Sequence, residues 1–594
     1  MNYKNDLIPH HTLKMTLANF ITPVMMQVCP GETPEVLEKK IIEVFIIPPL
    51  PEQGDLSLPL FSWGKSSKTS PALLAKKLFE ITSKELPHCL KKIEAIGPYL
   101  NFFWNLSFVE KTLQQEIISK SYFQKKFFTQ TLSTMVEYSQ PNTHKELHVG
   151  HLRNVCLGQT LVELFKYCQI PTQTCTYPGD SGNHVAKCLW YLNKEKLTAP
   201  EKRKGAWLGS IYTKAHLLLE SQRDTPQEEI NRLELTAILK ELHGEKGHFF
   251  DLWKKTREWS LEQMREVYSW MGVTFDHWFF ESQVDKASLK LVDHYLEKGL
   301  FEMSEGAVGI NLDTFKLGFC LLRKSDGNGL YATKDLELAI RKFKDFQVEQ
   351  SIYIVDVRQS LHFKQVFKAL ELMGQDFAKK SLHLSYEMVE LPSGAMSSRN
   401  GNIVPLQDLI DQMEKMILEV HLEKYKNEWS ADEIYDTCKK IANAAIKYGM
   451  LKIDSQKKIT FDLKAWLKVD GNTGPYLLYT YARIESILKK FPLINNLLTP
   501  QSYDYKEISE KNLLLKLWEF NDCVLDATLK YSPSILTNYL YQLCQDVNTF
   551  YAQCSIGQAG TEEIKNARLT LLQHFQKILK QGLHLCGIET VQRM

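Results

Sequence analysis

His148 and His151 stand three residues apart, with Gly150 between them, in the stretch VEYSQPNTHKELHVGHLRN (Val136 to Asn154). At the start of a helix this spacing puts both rings on one face. The helix N-terminus adds free N–H groups and a partial positive charge. Two imidazoles so placed can donate to phosphate oxygens, and the missing side chain at Gly150 lets a flat base approach. The segment therefore reads as an ATP site at the C-terminal end of a strand, where open α/β sheets bind ligands. Ordinary surface or core histidines are the competing reading. Zinc helices carry H-E-x-x-H, with the pair four apart, so no metal site is expected here. A second stretch, SGAMSSRNGN (Ser393 to Asn402), holds two glycines, three serines and Arg399. It follows the strand-like LSYEMVEL, precedes a helix, and suits wrapping around phosphates.

These residues need a scaffold. TMVEYS (Thr134 to Ser139) reads as a buried strand, and the loop from Gln140 to Glu146 leads into a helix whose apolar residues from Val149 to Cys168 keep three-to-four spacing. TQTCTYP is the next strand, closed by Pro178-Gly179-Asp180, so the three form a right-handed βαβ unit. The pattern returns at SIYIVDV (Ser351 to Val357), with a helix from Leu361 to Met373 behind it. Roughly residues 195 to 290 read as a charged helical insertion in this fold. The first ~125 residues read as a separate α+β unit, with one strand from Ile93 to Asn105. From about residue 405 the chain reads as all-helical. The expected fold is multidomain α/β: an N-terminal α+β module (1–125), a Rossmann-type parallel-sheet catalytic domain (126–404), a helical connecting region (405–460) and a C-terminal all-α bundle (461–594). A length of 594 residues fits about four such domains.

Composition narrows the classes. Hydrophobic residues at 44% and charged residues at 24% are ordinary for globular protein with large cores. The net charge of +2 neither predicts nor excludes an RNA partner. Between Lys439 and Lys458 six lysines face a single acid, Asp454, a run that reads as a solvated helix face. The twelve cysteines never form a C-x-x-C pair, so neither zinc ligation nor a disulfide framework is expected. No secretory segment and no run of about 18 apolar residues is visible, which predicts a cytoplasmic protein without membrane attachment.

The His148 segment resembles the signature of class I aminoacyl-tRNA synthetases, and specifically the arginyl form, in which S-x-P-N-x-x-K-E precedes H-V-G-H-L-R. Ser393 to Asn402 is similar to the family's mobile K-M-S-K-S loop, but Ala395 and Ser398 stand where it carries lysines. GLYATKDLELA (Gly329 to Ala339), IVDVRQSLHFKQVFKAL, GNTGPYLLYTYARI, NTFYAQC and the N-terminal IEAIGPYLNFF resemble further family segments, so the likeness spans nearly the whole chain. It implies ATP, with magnesium held through the phosphates, L-arginine and tRNA(Arg) as partners, and reaction through an arginyl-adenylate. A monomer is expected.

Selecting arginine's planar, permanently charged fork over lysine requires carboxylates placed for paired hydrogen bonds. By resemblance, Glu137 and Asp335 meet the guanidinium, Tyr331 packs on it, and Asn142 and Gln359 hold the ammonium and carboxylate ends. His148, Gly150, His151, Met396, Ser397 and Ser398 bind ATP. His148, His151, Lys145 and Arg399 carry the catalytic charge stabilisation, Lys145 or Arg399 replacing the missing loop lysine. Asn101 and Phe103 in the N-terminal module, and Tyr541, Phe550 and Tyr551 in the bundle, are candidates for contacting tRNA bases; for Phe103 and the bundle aromatics, core packing is the alternative. Another class I ligase, or a synthetase-like tRNA-binding protein that has lost catalysis, are the rival readings.

Overall fold

The computed structural model describes residues 13–28, 31–391, 394–395, 404–492, 503 and 505–594. Its centre is a parallel five-stranded sheet. The strands are β1 (Thr134–Glu137), β2 (Thr172–Thr176), β3 (His277–Trp278), β4 (Gln350–Asp356) and β5 (Ser381–Tyr386), in the order β5-β4-β1-β2-β3. β1 is buried along its whole length, as expected of a central parallel strand covered on both faces. From β1 the order runs outward through β2 and β3 on one side and through β4 and β5 on the other. The crevice beyond the C-terminal ends of β1 and β4 is thus the switch point where such sheets bind ligands.

Helix α1 (Val149–Tyr167) makes the crossover from β1 to β2. It lies so close to the end of β1 that a Cβ at Gly158 would stand 2.2 Å from the Tyr138 ring. Its far end is tied into the C-terminal bundle, where the Tyr167 hydroxyl donates to Asn521 Oδ1 at 2.8 Å. Helices α2 (Lys204–Ser221) and α3 (His248–Met271) belong to the insertion, α4 (Glu281–Glu297) follows β3, and α5 (Tyr331–Asp345) leads into β4. Helix α6 (Ala431–Leu451) opens the C-terminal half beside α1.

Several expectations need correction. The stretch from Ile93 to Asn105 is a hairpin, with Leu90–Ile96 and Tyr99–Trp104 antiparallel about the Gly97-Pro98 turn. β3 joins the central sheet, so the helical insertion ends before it. A three-stranded antiparallel sheet between Glu302 and Arg323, unforeseen from the sequence, precedes α5. LSYEMVEL is broken, because β5 ends at Tyr386 and a new strand starts at Val389. That strand pairs in parallel with Ile459–Thr460, so the chain beyond residue 405 is not purely helical. The N-terminal module packs directly on the rest of the chain. One apolar core runs from Leu17, Phe102 and Leu113 through α1 to Leu517 and Phe520, and Glu110 accepts from the Tyr503 N–H at 2.7 Å.

The lysine run is not a solvated face throughout. Lys447 is fully buried and donates to the carbonyls of Met271 and Gly587, where two helices end. Burial lowers its pKa to about 8. Arg153 on α1 does similar work, donating to the carbonyl of Glu387 at 2.6 Å and of Asp454 at 2.9 Å. Long cations thus satisfy backbone carbonyls where units meet. No helix among the described residues is long and apolar enough to cross a membrane.

The α1–β1 seam has no slack. Gly158→Ala should therefore lower the denaturation midpoint, with a loss of about 1–3 kcal/mol from overpacking; an unchanged midpoint in chemical denaturation would show that Tyr138 can yield.

Candidate active site

His148 is the N-cap of α1. Its Nδ1 accepts from the Gly150 N–H at 3.2 Å, and its own backbone N–H donates to His151 Nδ1 at 3.2 Å. The ring centroids are 4.0 Å apart. Since both Nδ1 atoms accept, a neutral ring at either position carries its proton on Nε2. Burial favours that neutral form. It lowers the pKa of His148 to about 4, helped by the positive charges of Arg358 and Lys145. Burial also drives His151 well below the ordinary histidine value. The helix end thus offers two neutral Nε2–H donors, with half-exposed Gly150 between them.

The described residues at the two ends of the glycine- and serine-rich segment are both anchored. Gly394–Ala395 pairs with Glu390 and Leu391. On the other flank, Pro405 bridges to His148, and the Leu406 N–H donates to the Leu147 carbonyl at 2.9 Å. Met396, Ser397, Ser398 and Arg399 lie outside the described residues. The Lys145 ammonium stands 5.1 Å from the centre of the Tyr212 ring on α2, and Tyr212 in turn stacks on His216.

The two expected arginine carboxylates already have partners. Glu137, buried at the end of β1, is ion-paired with the fully buried Lys342 of α5 and accepts from Gln140 Nε2 at 3.2 Å. Asp335, two turns before Lys342 on α5, has its Oδ2 2.6 Å from His362 Nε2. Burial alone would lower the pKa of His362, but its bond to Asp335 and the acid's charge outweigh this and raise it. A carboxylate has about four lone-pair sites, so each acid keeps capacity for a further donor. Asn142 lies against the loop after β2, where a Cβ at Gly179 would stand 2.3 Å from Asn142 Oδ1 and 3.0 Å from Glu281 Oε1. Glu281 is paired with Lys334 at 3.0 Å. Tyr331, at the start of α5, and Gln359, just after β4, are exposed. Tyr177, at the end of β2, packs on Val284 and Leu338. Its buried hydroxyl has no hydrogen-bond partner among the described residues. Burial, then the charges of Asp335, Glu281 and Glu137, raise its pKa.

Away from this crevice the candidates divide. Phe550 is fully buried among the bundle helices, so it packs the core and is not available for stacking. Asn101 is also buried, its Oδ1 accepting from the Ser57 hydroxyl inside the N-terminal module. Phe103 is half-buried with Lys92 Nζ 4.0 Å from its ring centre. Tyr541 and Tyr551 are half-buried. Tyr541 meets Tyr476 edge-on at 5.6 Å, and the Arg483 guanidinium lies 4.7 Å from the Tyr551 ring centre. Lys342, His362, Tyr177, Tyr212 and Arg483 were not foreseen as site residues. Lys342 was legible as lying two turns from Asp335 on one helix face, and His362 sits in the SLHF stretch; the others have no local signal.

Comparison with known proteins places this geometry. The model of class I tRNA synthetases (R), catalytic domain, matches residues 109–463, and that of the DALR anticodon-binding domain matches 477–594. An arginine–tRNA ligase of Bdellovibrio bacteriovorus is 44% identical over 99% of this chain and 100% of its own length. One of Clostridium acetobutylicum is 32% identical over 93% of this chain and 96% of its own. The fold is that of the solved Thermus thermophilus arginyl-tRNA synthetase, with a TM-score of 0.80, 24% identity, and coverage of 98% of this chain and 100% of that one. A catalytic-domain match over more than half of the chain and 44% identity along nearly its whole length show that the chain belongs to the arginyl-tRNA synthetases of class I.

Proposed function

We infer that this chain ligates arginine to tRNA in two steps. The arginine carboxylate attacks the α-phosphate of ATP, forming arginyl-adenylate and releasing pyrophosphate. A ribose hydroxyl of the terminal adenosine of the tRNA then displaces AMP. The observation that carries the reading is that the end of β1 bears the buried acid Glu137 and leads, through one loop, to a histidine pair capping a helix N-terminus, with Asp335 on the same helix as the partner of Glu137. Negative charge is stabilised at one end and a cation at the other.

Catalysis here is positioning plus charge stabilisation. The Nε2–H groups of His148 and His151 would donate to phosphate, and magnesium, held through the phosphates, would neutralise part of their charge. Asp335 and Glu137 receive the guanidinium with the lone pairs their internal partners leave, while Asn142 and Gln359 hold the amino-acid ends. Lys145 supplies the cation that Ala395 and Ser398 do not, with Arg399 as the alternative. On the tRNA side, Tyr541 and Tyr551 beside Arg483, together with Phe103, offer ring faces to unstacked bases.

Pyrophosphate exchange with tRNA present tests the activity: arginine should support it and lysine should not, and equal use of both would sink the assignment. Asp335→Asn should weaken arginine use by about 2 kcal/mol or more, because a desolvated cation loses its charged partner. The protonation state makes a second demand. His148→Gln keeps a neutral donor near Nε2 and should retain far more exchange than His148→Ala, in which loss of one donor costs ~10²–10³ in rate. Equal loss in both would mean that a neutral donor is not what His148 supplies. Lys145→Ala should slow exchange by ~10²-fold or more with an unchanged thermal midpoint; a parental rate would hand the role to Arg399.

A further inference from the structure

The loop between β1 and α1 is built on two residues in an unfavourable backbone state. Ser139 and His144 have φ of 61° and 59°, left-handed values that cost free energy in any residue bearing a Cβ. Asn142 lies between them and Lys145 follows directly. Such a conformation persists only where the surroundings over-determine it.

Helix α3 of the insertion supplies much of that restraint. The Ser139 hydroxyl is 2.7 Å from the Tyr268 hydroxyl. The His144 N–H donates to Ser260 Oγ at 3.0 Å, and His144 Nε2 stands 2.8 Å from Thr256 Oγ1. Thr256 Oγ1 itself donates to the Leu252 carbonyl at 2.9 Å, so it accepts from the imidazole, whose Nδ1 lies 2.9 Å from Thr143 Oγ1. Burial keeps that ring neutral, its pKa lowered to about 3. Thr256, Ser260 and Tyr268 are separated by four and eight residues, so they share one face of α3. The same face grips the next loop. Trp253 Nε1 donates to the Asp180 carbonyl at 2.8 Å, and Arg257 Nε to Asp180 Oδ2 at 2.7 Å. The two loops are joined in turn, the Thr143 N–H donating to the Gly179 carbonyl at 2.9 Å and the Gly179 N–H to the Pro141 carbonyl at 3.1 Å.

We propose that α3 is a positioning rail for the activation reaction, with Ser260 and Thr256 as positioning residues that hold His144, and through it Asn142 and Lys145, in the strained conformation the site uses. Asn154 and Thr176 also hold Ser139, so the His144 end depends most on the rail. The kinetic side of this rests on the functional reading above.

The test uses the full-length chain as Ser260→Ala, Thr256→Val and the double variant, beside Ser260→Thr and Thr256→Ser, which keep the hydroxyls. In pyrophosphate exchange the double variant should lose at least ~10-fold in kcat/KM for arginine, with a smaller change in KM for ATP, while the hydroxyl-keeping variants stay near the parent. His144→Gly, added to Ser260→Ala, should recover part of the loss, because glycine takes positive φ without strain. Amide hydrogen exchange provides the readout that does not need activity: residues 139–146 should exchange faster in the double variant, with the sheet unchanged. Parental kinetics in the double variant, or unchanged exchange of 139–146, would overturn the rail. A parent chain inert with arginine would instead count against the function, and the exchange data would still decide the rail.

Discussion

A carboxylate buried at the end of the central strand must find a cation, and Glu137 finds Lys342. Without it the charge would be prohibitively costly in that environment. The pair does more than neutralise. It also ties α5 to the end of β1, and Asp335 lies two turns earlier on that helix, with His362 bonded to it. The loop after β2 closes against this arrangement through Gly179 and Asn142. The clustering of acids near the end of β1 is therefore a by-product of satisfying buried charge. These acids are pre-paired, which lowers the repulsion between them before any ligand arrives.

The histidine-capped helix end follows a different logic. His148 caps α1 through Nδ1, so the capping bond and the tautomer are one decision. A serine or aspartate would cap as well, but neither would turn an N–H outward from the same position.

What could be read beforehand was local. β1, α1, β2, β4 and the helix behind β4 announce themselves through apolar periodicity, and the histidine pair through its spacing. The Gly97-Pro98 turn was also written in the chain, yet the apolar alternation on both sides of it hid the reversal. Lys447 was beyond reach: nothing near it says that Met271 and Gly587 will bring bare carbonyls to it. Phe550 and Asn101 failed as surface candidates for the same reason, since whether an aromatic or amide faces solvent is settled by distant partners. The insertion was legible as helical and charged, but its hydroxyl face pairs with a loop more than 100 residues away, and no local pattern encodes that.

Helix α1 begins at the histidine cap and ends at Tyr167, bonded to Asn521 in the C-terminal bundle. Its 19 residues make a rod of roughly 28 Å with no proline or glycine-serine break to absorb bending. A tilt of about 5° at the bundle end would swing the cap by roughly 2 Å over that length. The packing of Gly158 on Tyr138 and the bonds of Arg153 to the carbonyls of Glu387 and Asp454 hold the rod along its length, so the histidine cap and the bundle are set at a fixed distance and bearing from one another.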